Sequence, residues 1–471
     1  MHLDSKQYVT ANILPEANSL APHHPTIQRR NESVVFKKKK FASAAILVAL
    51  ALAATGCSAA NPDATPSGDI TWNDPESDLS GVTLTLWSQP ATSTYADQVI
   101  AAFEEKTGAK VEVVILPDDA SQLTKIATGD LPDFAWWQPT GSALSVLLPS
   151  KNLQPLDSAP WLSELDPAVR DIGVVNDVHY AAMVSTPSVL GMFYNKQVFK
   201  DAGITDEPTD WDSLITTAET LKASGVAPFY EGGGDGWPTQ WWPQVQLAEA
   251  AKAGFWDKVN VNEASFTSAE MQDTIVRYKS MIDDGLFNDD ILTATFDDQA
   301  THLLDGSAAM VLQDSSAFLG LVNGKLGADQ TVDDVLGWFP ISTDGNIATT
   351  IPTGANALVA FNTGDETQEA ASRQFLSFWL GPDYPAYLDD LKTASIQGAV
   401  ANPDGLPAIN GEIKDSLSNS VGSMQSLAAV NADLWRNLQD MLNGGKTPLQ
   451  VGEATDSQFS DLAKAQGLTG F

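Results

Sequence analysis

The chain has 471 residues, with 26 Lys plus Arg against 60 Asp plus Glu and a formal charge of −34. This length predicts two domains of ordinary size, and the negative charge excludes a nucleic-acid-binding protein because it repels phosphate backbones. Cys57 is the single cysteine, which excludes an internal disulfide, a catalytic thiol pair and a cysteine-rich metal site; we expect neither a bound metal nor a cofactor.

The first 56 residues are predicted to be an export signal. A basic cluster at 37–40 precedes an apolar run at 41–54, which is shorter than the ~20 residues of a membrane-spanning helix and is typical of a secretory signal. Residues 1–33 of this segment are polar and precede the basic cluster, and we expect translation to begin after them.

The sequence Leu-Ala-Ala-Thr-Gly-Cys at 52–57 resembles the bacterial lipobox, in which the cysteine is lipidated and becomes the first residue of the mature protein. We therefore expect a lipid anchor on Cys57 that holds the protein at the extracytoplasmic face of the cell membrane. A plain signal peptide with an unmodified cysteine is the alternative. Residues 58–80 are rich in Ser, Pro, Asp and Ala and are predicted to be a flexible tether.

Periodicity in the body predicts an α/β fold. In chain order, the pattern predicts a strand at 82–87, a helix at 95–107, a strand at 111–116, a helix at 121–128 and a strand at 134–137. This alternation indicates parallel strands joined by helices. Further helices are predicted at 211–224, 241–253, 268–284, 298–304, 367–380, 416–442 and 448–466, and further strands at 335–339 and 357–361.

Several short segments together carry a family resemblance. They are Leu-Thr-Leu-Trp at 84–87, Phe-Glu-Glu-Lys-Thr-Gly-Ala-Lys-Val-Glu-Val at 103–113, Ile-Ala-Thr-Gly-Asp-Leu-Pro-Asp at 126–133, Tyr-Asn-Lys at 194–196, Gly-Ser-Ala-Ala-Met at 306–310, Gly-Trp-Phe-Pro at 337–340 and the helix ending at 379. In this order and spacing the chain resembles the extracellular solute-binding proteins of carbohydrate ABC importers, the group typified by maltose-binding protein.

The resemblance implies two α/β lobes joined by several chain crossings, with a ligand cleft between the lobes that closes by hinge bending. Lobe one would comprise residues 82–185 and 343–394, and lobe two residues 188–340 and 399–471. The crossings would fall at 185–188, 342–346 and 394–398. The implied function is to bind a sugar or oligosaccharide as a monomer and deliver it to the permease of an ABC importer, without catalysis.

Sugar sites combine aromatic platforms with polar side chains, and this chain places such residues where predicted strands and turns end. The candidate ligand-binding residues are Trp87, Gln89, Trp136, Trp137, Gln138, Asp235, Trp237, Trp241, Trp242, Asp314, Ser316 and Asn356. Adjacent strand residues point to opposite faces, so at most one of Trp136 and Trp137 is expected in the core. The resemblance places the ligand-contacting tryptophan of the maltose-type motif at Trp137.

The maltose-type site is not reproduced in full. Thr140-Gly141 stands where that site has an Asp-Arg pair, and Ser188 stands where it has an acid. These differences disfavour maltodextrin as the ligand. For the glycine run at 232–236, the sequence leaves open whether it approaches a ligand or forms an irregular loop.

Two other functions stay open from the sequence. The same fold could bind a polyamine, which would suit the many acids, or a peptide. A secreted glycoside hydrolase would need two positioned carboxylates, one with a raised pKa. The chain has no nucleophile elbow, no phosphate-binding loop and no metal-ligand histidine spacing.

Overall fold

The computed structural model describes residues 70–327 and 329–471. The predicted signal segment, the expected lipidation site at Cys57 and the first part of the predicted tether lie outside the described residues. Residues 70–80, the end of that tether, are docked on the folded body. Trp72 Nε1 donates to Ser158 Oγ at 2.9 Å, and Gln374 Nε2 donates to the Ser77 carbonyl at 2.8 Å. Residues 70–80 are therefore part of the folded body, although their composition predicts a flexible tether.

The strands and helices of the described residues follow the chain in this order. The strands are Thr83–Ser88 (β1), Lys110–Ile115 (β2), Phe134–Trp136 (β3), Val174–Val175 (β4), Val178–His179 (β5), Ala181–Met183 (β6), Ser188–Asn195 (β7), Ala227–Phe229 (β8), Ala308–Asp314 (β9), Leu336–Phe339 (β10), Ala348–Ile351 (β11), Ala357–Ala360 (β12) and Ser420–Gly422 (β13). The α-helices are Asp97–Thr107 (α1), Asp119–Ala127 (α2), Gly141–Ser145 (α3), Pro149–Asn152 (α4), Pro167–Arg170 (α5), Lys196–Asp201 (α6), Trp211–Ala223 (α7), Trp241–Gln246 (α8), Ala248–Lys252 (α9), Phe255–Asn260 (α10), Ala269–Asp283 (α11), Phe296–Asp305 (α12), Ser315–Lys325 (α13), Val332–Val335 (α14), Glu366–Trp379 (α15), Tyr384–Leu391 (α16), Ala408–Ser416 (α17), Met424–Leu427 (α18), Leu434–Leu442 (α19) and Pro448–Ala465 (α20). Short 3-10 helices cover Pro90–Thr92, Leu162–Glu164, Trp237–Gln240 and Leu417–Asn419.

The first sheet is built from the N-terminal β–α alternation that the sequence predicts. Its strand order is β2-β1-β3-β12-β6. β1 runs parallel to both β2 and β3, as the predicted parallel sheet requires, because helices α1 and α2 connect these strands. β12 returns from later in the chain and pairs antiparallel with β3 and β6, so the complete sheet is mixed.

The second sheet is centred on β7, which is buried along nearly its whole length. Its order is β13-β11-β7-β9-β8, and β10 also pairs with β7. β7 is antiparallel to β9, β10 and β11, whereas β8 is parallel to β9. Helices cover both sheets, and the molecule has the two-lobed α/β fold that the resemblance implies.

The chain crosses between the sheets at points that differ in part from the expected boundaries. Residues 343–394 were expected in lobe one, but β11 within this range pairs with β7 and β13 of the second sheet. The chain therefore passes to the first sheet between β11 and β12, at 352–356 rather than at 342–346. At the third crossing, Gln397 still forms a bridge with Leu165, and α17 packs beside β10 of the second sheet.

Most predicted elements are present within one or two residues of their expected ends, but the helix expected at 416–442 is wrong. That segment contains a 3-10 turn, β13, α18 and α19 instead. Its serines and asparagines offer the backbone local hydrogen bonds that compete with a helix, and β13 gains a place beside β11 at the sheet edge. The helix expected at 241–253 is divided into α8 and α9 at Leu247.

The helices of the described residues bear on whether the folded body crosses a membrane. Over the part of the chain that the structure describes, we find no helix with the length and apolar character needed to cross a bilayer.

Candidate functional site

A cleft of about 800 Å³ lies between the two sheets, within the size range of small-molecule sites. Its lining comes from the segments that follow β1 and β3, the start of α2, the end of β9 and the first turns of α13. The crossings at 185–187 and 353–356 form another part, and α16, α17 and the turn after α16 complete it. The cleft is thus built by residues from both halves of the molecule.

Hydrogen bonds tie the crossing segments together beneath the cleft. Asn356 Nδ2 donates to Ser185 Oγ and to the Thr186 carbonyl, each at 3.0 Å. Asn356 Oδ1 accepts from the backbone N–H of Thr353 at 2.7 Å. Thr186 Oγ1 donates to the Ala394 carbonyl at 3.3 Å. These bonds use both amide donors of Asn356, so its side chain supports the cleft instead of offering free donors to a ligand.

The wall on the first sheet combines aromatic rings with a polar pair. Tyr95 is 37% exposed and packs edge-to-face against Trp136, with ring centroids 6.2 Å apart. Trp136 is buried, and its Nε1 has no hydrogen-bond partner among the described residues. Beside them, Gln89 Nε2 donates to the Asp119 carboxylate at the start of α2. The wall therefore offers one accessible ring edged by an amide and a carboxylate.

The wall on the second sheet is the point where β9 ends and α13 begins. Asp314 is the N-cap of α13, and its Oδ1 accepts from the Ala317 N–H at 3.0 Å, as N-cap aspartates commonly do. Its side chain is 6% exposed, and burial raises the pKa of the carboxyl. Ser316 follows on the first turn and is exposed. This wall presents polar groups and no aromatic ring among its described lining residues.

The structure brings together half of the candidate ligand-binding residues. Those that line the cleft are Gln89, Trp136, Gln138, Asp314, Ser316 and Asn356. Gln138 Nε2 donates to the Pro352 carbonyl at 3.0 Å, so this amide also holds the second crossing segment in place.

Trp137, the strongest candidate from the motif, lies outside the cleft lining. It is 4% exposed, and its Nε1 donates to the Ala143 carbonyl at 2.8 Å. Trp136 is buried as well, so the expectation that at most one of the pair is in the core is wrong. Both strand faces are covered in this sheet, which removes the exposed face that the alternation argument requires.

Trp87 is also a core residue. It is 3% exposed, its ring packs against Phe361 with centroids 6.5 Å apart, and Lys125 Nζ lies 5.2 Å from its ring centroid. Trp87 therefore packs into the core at the end of β1, as bulky apolar side chains commonly do.

The tryptophans of the 232–242 segment do not form a second aromatic wall. Trp241 and Trp242 are buried in the core of the second sheet, and the Trp242 indole donates to the buried Glu231 carboxyl. Trp237 packs against Trp241 and Phe296, with ring centroids 5.9 and 5.2 Å away. All three lie outside the cleft lining.

The glycine run is explained by backbone packing. A Cβ on Gly233 would lie 2.4 Å from the Ile291 carbonyl oxygen, and one on Gly234 would lie 2.8 Å from that of Ala294. Only glycine fits where these two backbones meet. Asp235 Oδ2 accepts from the Phe296 N–H at 2.8 Å at the start of α12, so Asp235 stabilises this junction and is outside the cleft lining.

The sequence did not single out several residues that do line the cleft. They include Thr92, Tyr95, Asp119, Thr186, Tyr387 and Asn410. Tyr95 and Asp119 fall at the starts of predicted helices that follow strands of the parallel sheet. Ligands of open α/β sheets bind beyond the carboxyl ends of the strands. The positions of Tyr95 and Asp119 after strand ends could therefore have identified them as candidate ligand contacts.

Within residues 70–327 and 329–471, no group of three or more His, Cys, Asp or Glu side chains is placed to hold a metal ion.

Comparison with known proteins gives consistent matches. The multiple sugar-binding protein of Streptococcus mutans is 25% identical over 220 residues, which cover 45% of this chain and 52% of that protein. A chitin oligosaccharide binding protein of known structure has a TM-score of 0.67 and 21% identity, covering 81% of this chain and 98% of its own. RafE from Streptococcus pneumoniae has a TM-score of 0.68 and 18% identity over 81% of this chain and 98% of its own.

The matches differ in sequence identity and in the share of each chain that they cover. The structural likeness, at this low identity, shows a common fold. The chain spans about half the length of the curated relatives that it matches. The model of the bacterial extracellular solute-binding protein family matches residues 87–384, which is well over half of the chain. The chain therefore belongs to the family of bacterial extracellular solute-binding proteins.

Proposed function

We propose that the protein captures a sugar or oligosaccharide in the cleft between its sheets and delivers it to the permease of an ABC importer. The observation that carries this proposal is the cleft itself, where the accessible ring of Tyr95 lies on one wall and the polar groups of Asp119 and Asp314 lie on the two walls. Such a combination suits sugars, which present apolar CH faces and hydroxyl donors together.

The relatives support the same ligand class. RafE is described in complex with raffinose, and a sugar transporter protein from Bacillus licheniformis in complex with stachyose. The cleft volume of about 800 Å³ leaves room for a saccharide of more than one ring. The chain passes between the halves of the molecule in short crossing segments, and hinge bending at such segments would allow transient capture.

The proposal includes binding without catalysis. Asp314 Oδ1 is engaged as a helix cap, and the Asp119 carboxylate accepts from Gln89. The proposal therefore gives both carboxylates the role of orienting the ligand and includes no acid–base step of the glycoside-hydrolase kind. Incubation with a bound saccharide should return it unchanged; product that increases with the amount of protein in independent preparations would indicate a hydrolase.

The proposed location is the extracytoplasmic face of the cell membrane, with a lipid on Cys57 and the protein acting as a monomer. The single thiol at the end of a lipobox-like run supports it. Cys57→Ser should release the protein into the medium with its ligand binding intact. Retention of this variant in the membrane fraction would contradict the lipid anchor.

A thermal-shift screen tests the ligand class. A ligand that binds only the folded state raises the melting temperature, so purified protein is heated with mono- and oligosaccharides, amino acids, peptides and polyamines. We expect the largest shifts from saccharides. A shift produced only by polyamines or peptides would replace the sugar with that ligand in the same fold.

A further inference from the structure

The charged groups of the cleft are unevenly balanced. Asp119, Asp314 and Lys392 are the charged side chains among the described residues that line it. Asp119 lies at the first position of α2 and Asp314 at the N-cap of α13. The two carboxylates therefore stand on different walls, one supplied by each half of the molecule.

The single ammonium group is already paired with an acid outside the lining. Lys392 Nζ lies 2.5 Å from Asp389 Oδ1, and it also donates to the Asp404 carbonyl at 3.4 Å. Neither Asp389 nor Asp404 lines the cleft. The Lys392 charge is thus balanced by Asp389, and the two lining carboxylates are left without a basic partner among the described lining residues.

The partners of these carboxylates are neutral. Asp119 accepts from the Gln89 amide, and Asp314 accepts from the Ala317 N–H. Neutral hydrogen bonds orient a carboxylate without cancelling its charge. Asp314 is 6% exposed, so solvent screens its charge less than that of a surface acid.

A ligand in this cleft meets acceptors on both sides. Ionised carboxylates only accept hydrogen bonds, which suits hydroxyl or ammonium donors. A carboxylate or phosphate on the ligand would bring a third negative charge beside Asp119 and Asp314, and like charges that face each other in a binding site oppose binding. Closure of the cleft would bring the carboxylates of Asp119 and Asp314 closer to the ligand and increase the repulsion.

We propose that the cleft selects uncharged saccharides and amino sugars and rejects acidic ones, such as uronates, sialylated sugars and sugar phosphates. Asp119 and Asp314 are the residues that determine this selection. The inference rests on the proposed function, because it takes the ligand to be a saccharide, and it adds the charge class that the site accepts.

The test compares matched saccharides on the purified protein. The neutral saccharide that gives the largest thermal shift is compared, by calorimetry, with its uronate, in which the primary alcohol is oxidised to a carboxylate. At pH 7 and low salt we expect the uronate to bind at least about tenfold more weakly. The 2-amino-2-deoxy form should bind at least as tightly as the neutral form.

Three variants assign the selection to these residues. Asp119→Asn and Asp314→Asn remove one charge each. At position 314, the side-chain oxygen of asparagine can still accept from the Ala317 N–H and cap the helix. Each should reduce the ratio of neutral to uronate affinity severalfold. Asp118→Asn is the matched control. Asp118 lies next to Asp119 and accepts from the Ser121 N–H, but it is outside the cleft lining. The ratio of neutral to uronate affinity in this variant should stay close to that of the parent protein.

The outcomes separate this inference from the proposed function. A uronate that binds as tightly as the neutral saccharide, or an acidic saccharide that alone binds, overturns the charge selection and leaves saccharide binding in place. A ratio that neither Asp119→Asn nor Asp314→Asn changes also overturns it. If no saccharide of any charge binds, the proposed function fails first. Should Asp314→Asn unfold, the exposed Asp119 position alone decides the result.

Discussion

The side-chain amide of Asn356 donates to the backbone carbonyl of Thr186 at 3.0 Å, and this bond joins two of the segments through which the chain passes between its halves. The same amide reaches Ser185, and Thr186 in turn reaches Ala394. The floor of the cleft is therefore a hydrogen-bonded layer of three segments that are distant in the sequence. Relative motion of the two halves has to be accommodated at or beside this layer.

Removal of this amide should cost stability. Asn356→Ala removes the hydrogen-bond partners of the half-buried Thr186 carbonyl and Thr353 N–H, and the loss of two such bonds costs about 1–3 kcal/mol in total. We expect the unfolding free energy, measured by denaturant titration without ligand, to fall by about this amount. Asn323→Ala is the control, because Asn323 is an exposed asparagine of the same cleft. Equal stability of both variants would show that the Asn356 bonds are not maintained in solution.

Trp137→Ala should destabilise the fold without acting directly on the ligand. Trp137 is buried, and its indole donates to Ala143, so its loss should cost about 3–5 kcal/mol of unfolding free energy. Denaturant melts of the unliganded protein measure this cost. Near-normal stability together with weakened binding would instead place Trp137 in the site, as the family motif implies.

Tyr95→Ala should show the opposite behaviour. Its ring is the accessible aromatic surface of the first wall, and loss of such a platform should weaken saccharide binding about ten- to hundredfold, or ~1–3 kcal/mol. Because Tyr95 is 37% exposed whereas Trp137 is 4% exposed, the melting temperature without ligand should fall less than in Trp137→Ala. Tyr95→Phe retains the ring and should retain most of the affinity. If Tyr95→Ala binds like the parent protein, the ligand does not contact this wall.

Glu231 should make stability depend on pH. Burial raises the pKa of this carboxyl to about 8, while a glutamate in an unfolded chain has a pKa near ~4.3. At pH values between these two pKa values, the Glu231 carboxyl is protonated in the folded protein and ionised in the unfolded chain. The contribution of Glu231 to the unfolding free energy therefore falls as pH rises, by about 1.4 kcal/mol per pH unit, and levels off above the folded pKa.

Glu231→Gln removes this titration and keeps an acceptor for the Trp242 indole. The difference in unfolding free energy, variant minus parent, should grow steadily from pH 5 to pH 8 in denaturant melts. Glu263→Gln, at an exposed position, serves as the control and should give a difference that is nearly constant. A constant difference for Glu231→Gln would mean that its carboxyl group does not remain protonated in the folded protein over this range.

Much of the fold could be predicted because local patterns control it. Alternating polar and apolar residues mark β1, and α7 begins at Trp211, directly after Asp210, whose side chain caps the helix. The serine-rich segment around β13 could not be predicted in this way, since its pairing with β11 joins residues about 70 positions apart and no local period records such a contact.

The candidate site could be predicted only in outline. The rule that ligands bind beyond strand ends correctly directs attention to Gln89 and Gln138. It does not decide which way a bulky side chain turns, and Trp87 and Trp137 turn into the core. Tyr95 and Asp119 line the same cleft as Asp314 only because the chain crossings bring the two sheets together. That juxtaposition is a tertiary property, which single-sequence patterns do not contain.

Calorimetric titration of the purified protein with the neutral saccharide that gives the largest thermal shift tests the central proposal most directly. We expect one saccharide to bind per protein, with affinity that falls about tenfold or more in Tyr95→Ala and with the saccharide recovered intact. Binding that Tyr95→Ala and Asp119→Asn both leave unchanged would show that the ligand does not contact the first wall and would contradict this account of the site. The absence of any saccharide binding, at concentrations where another class of solute binds, would contradict the proposed function itself.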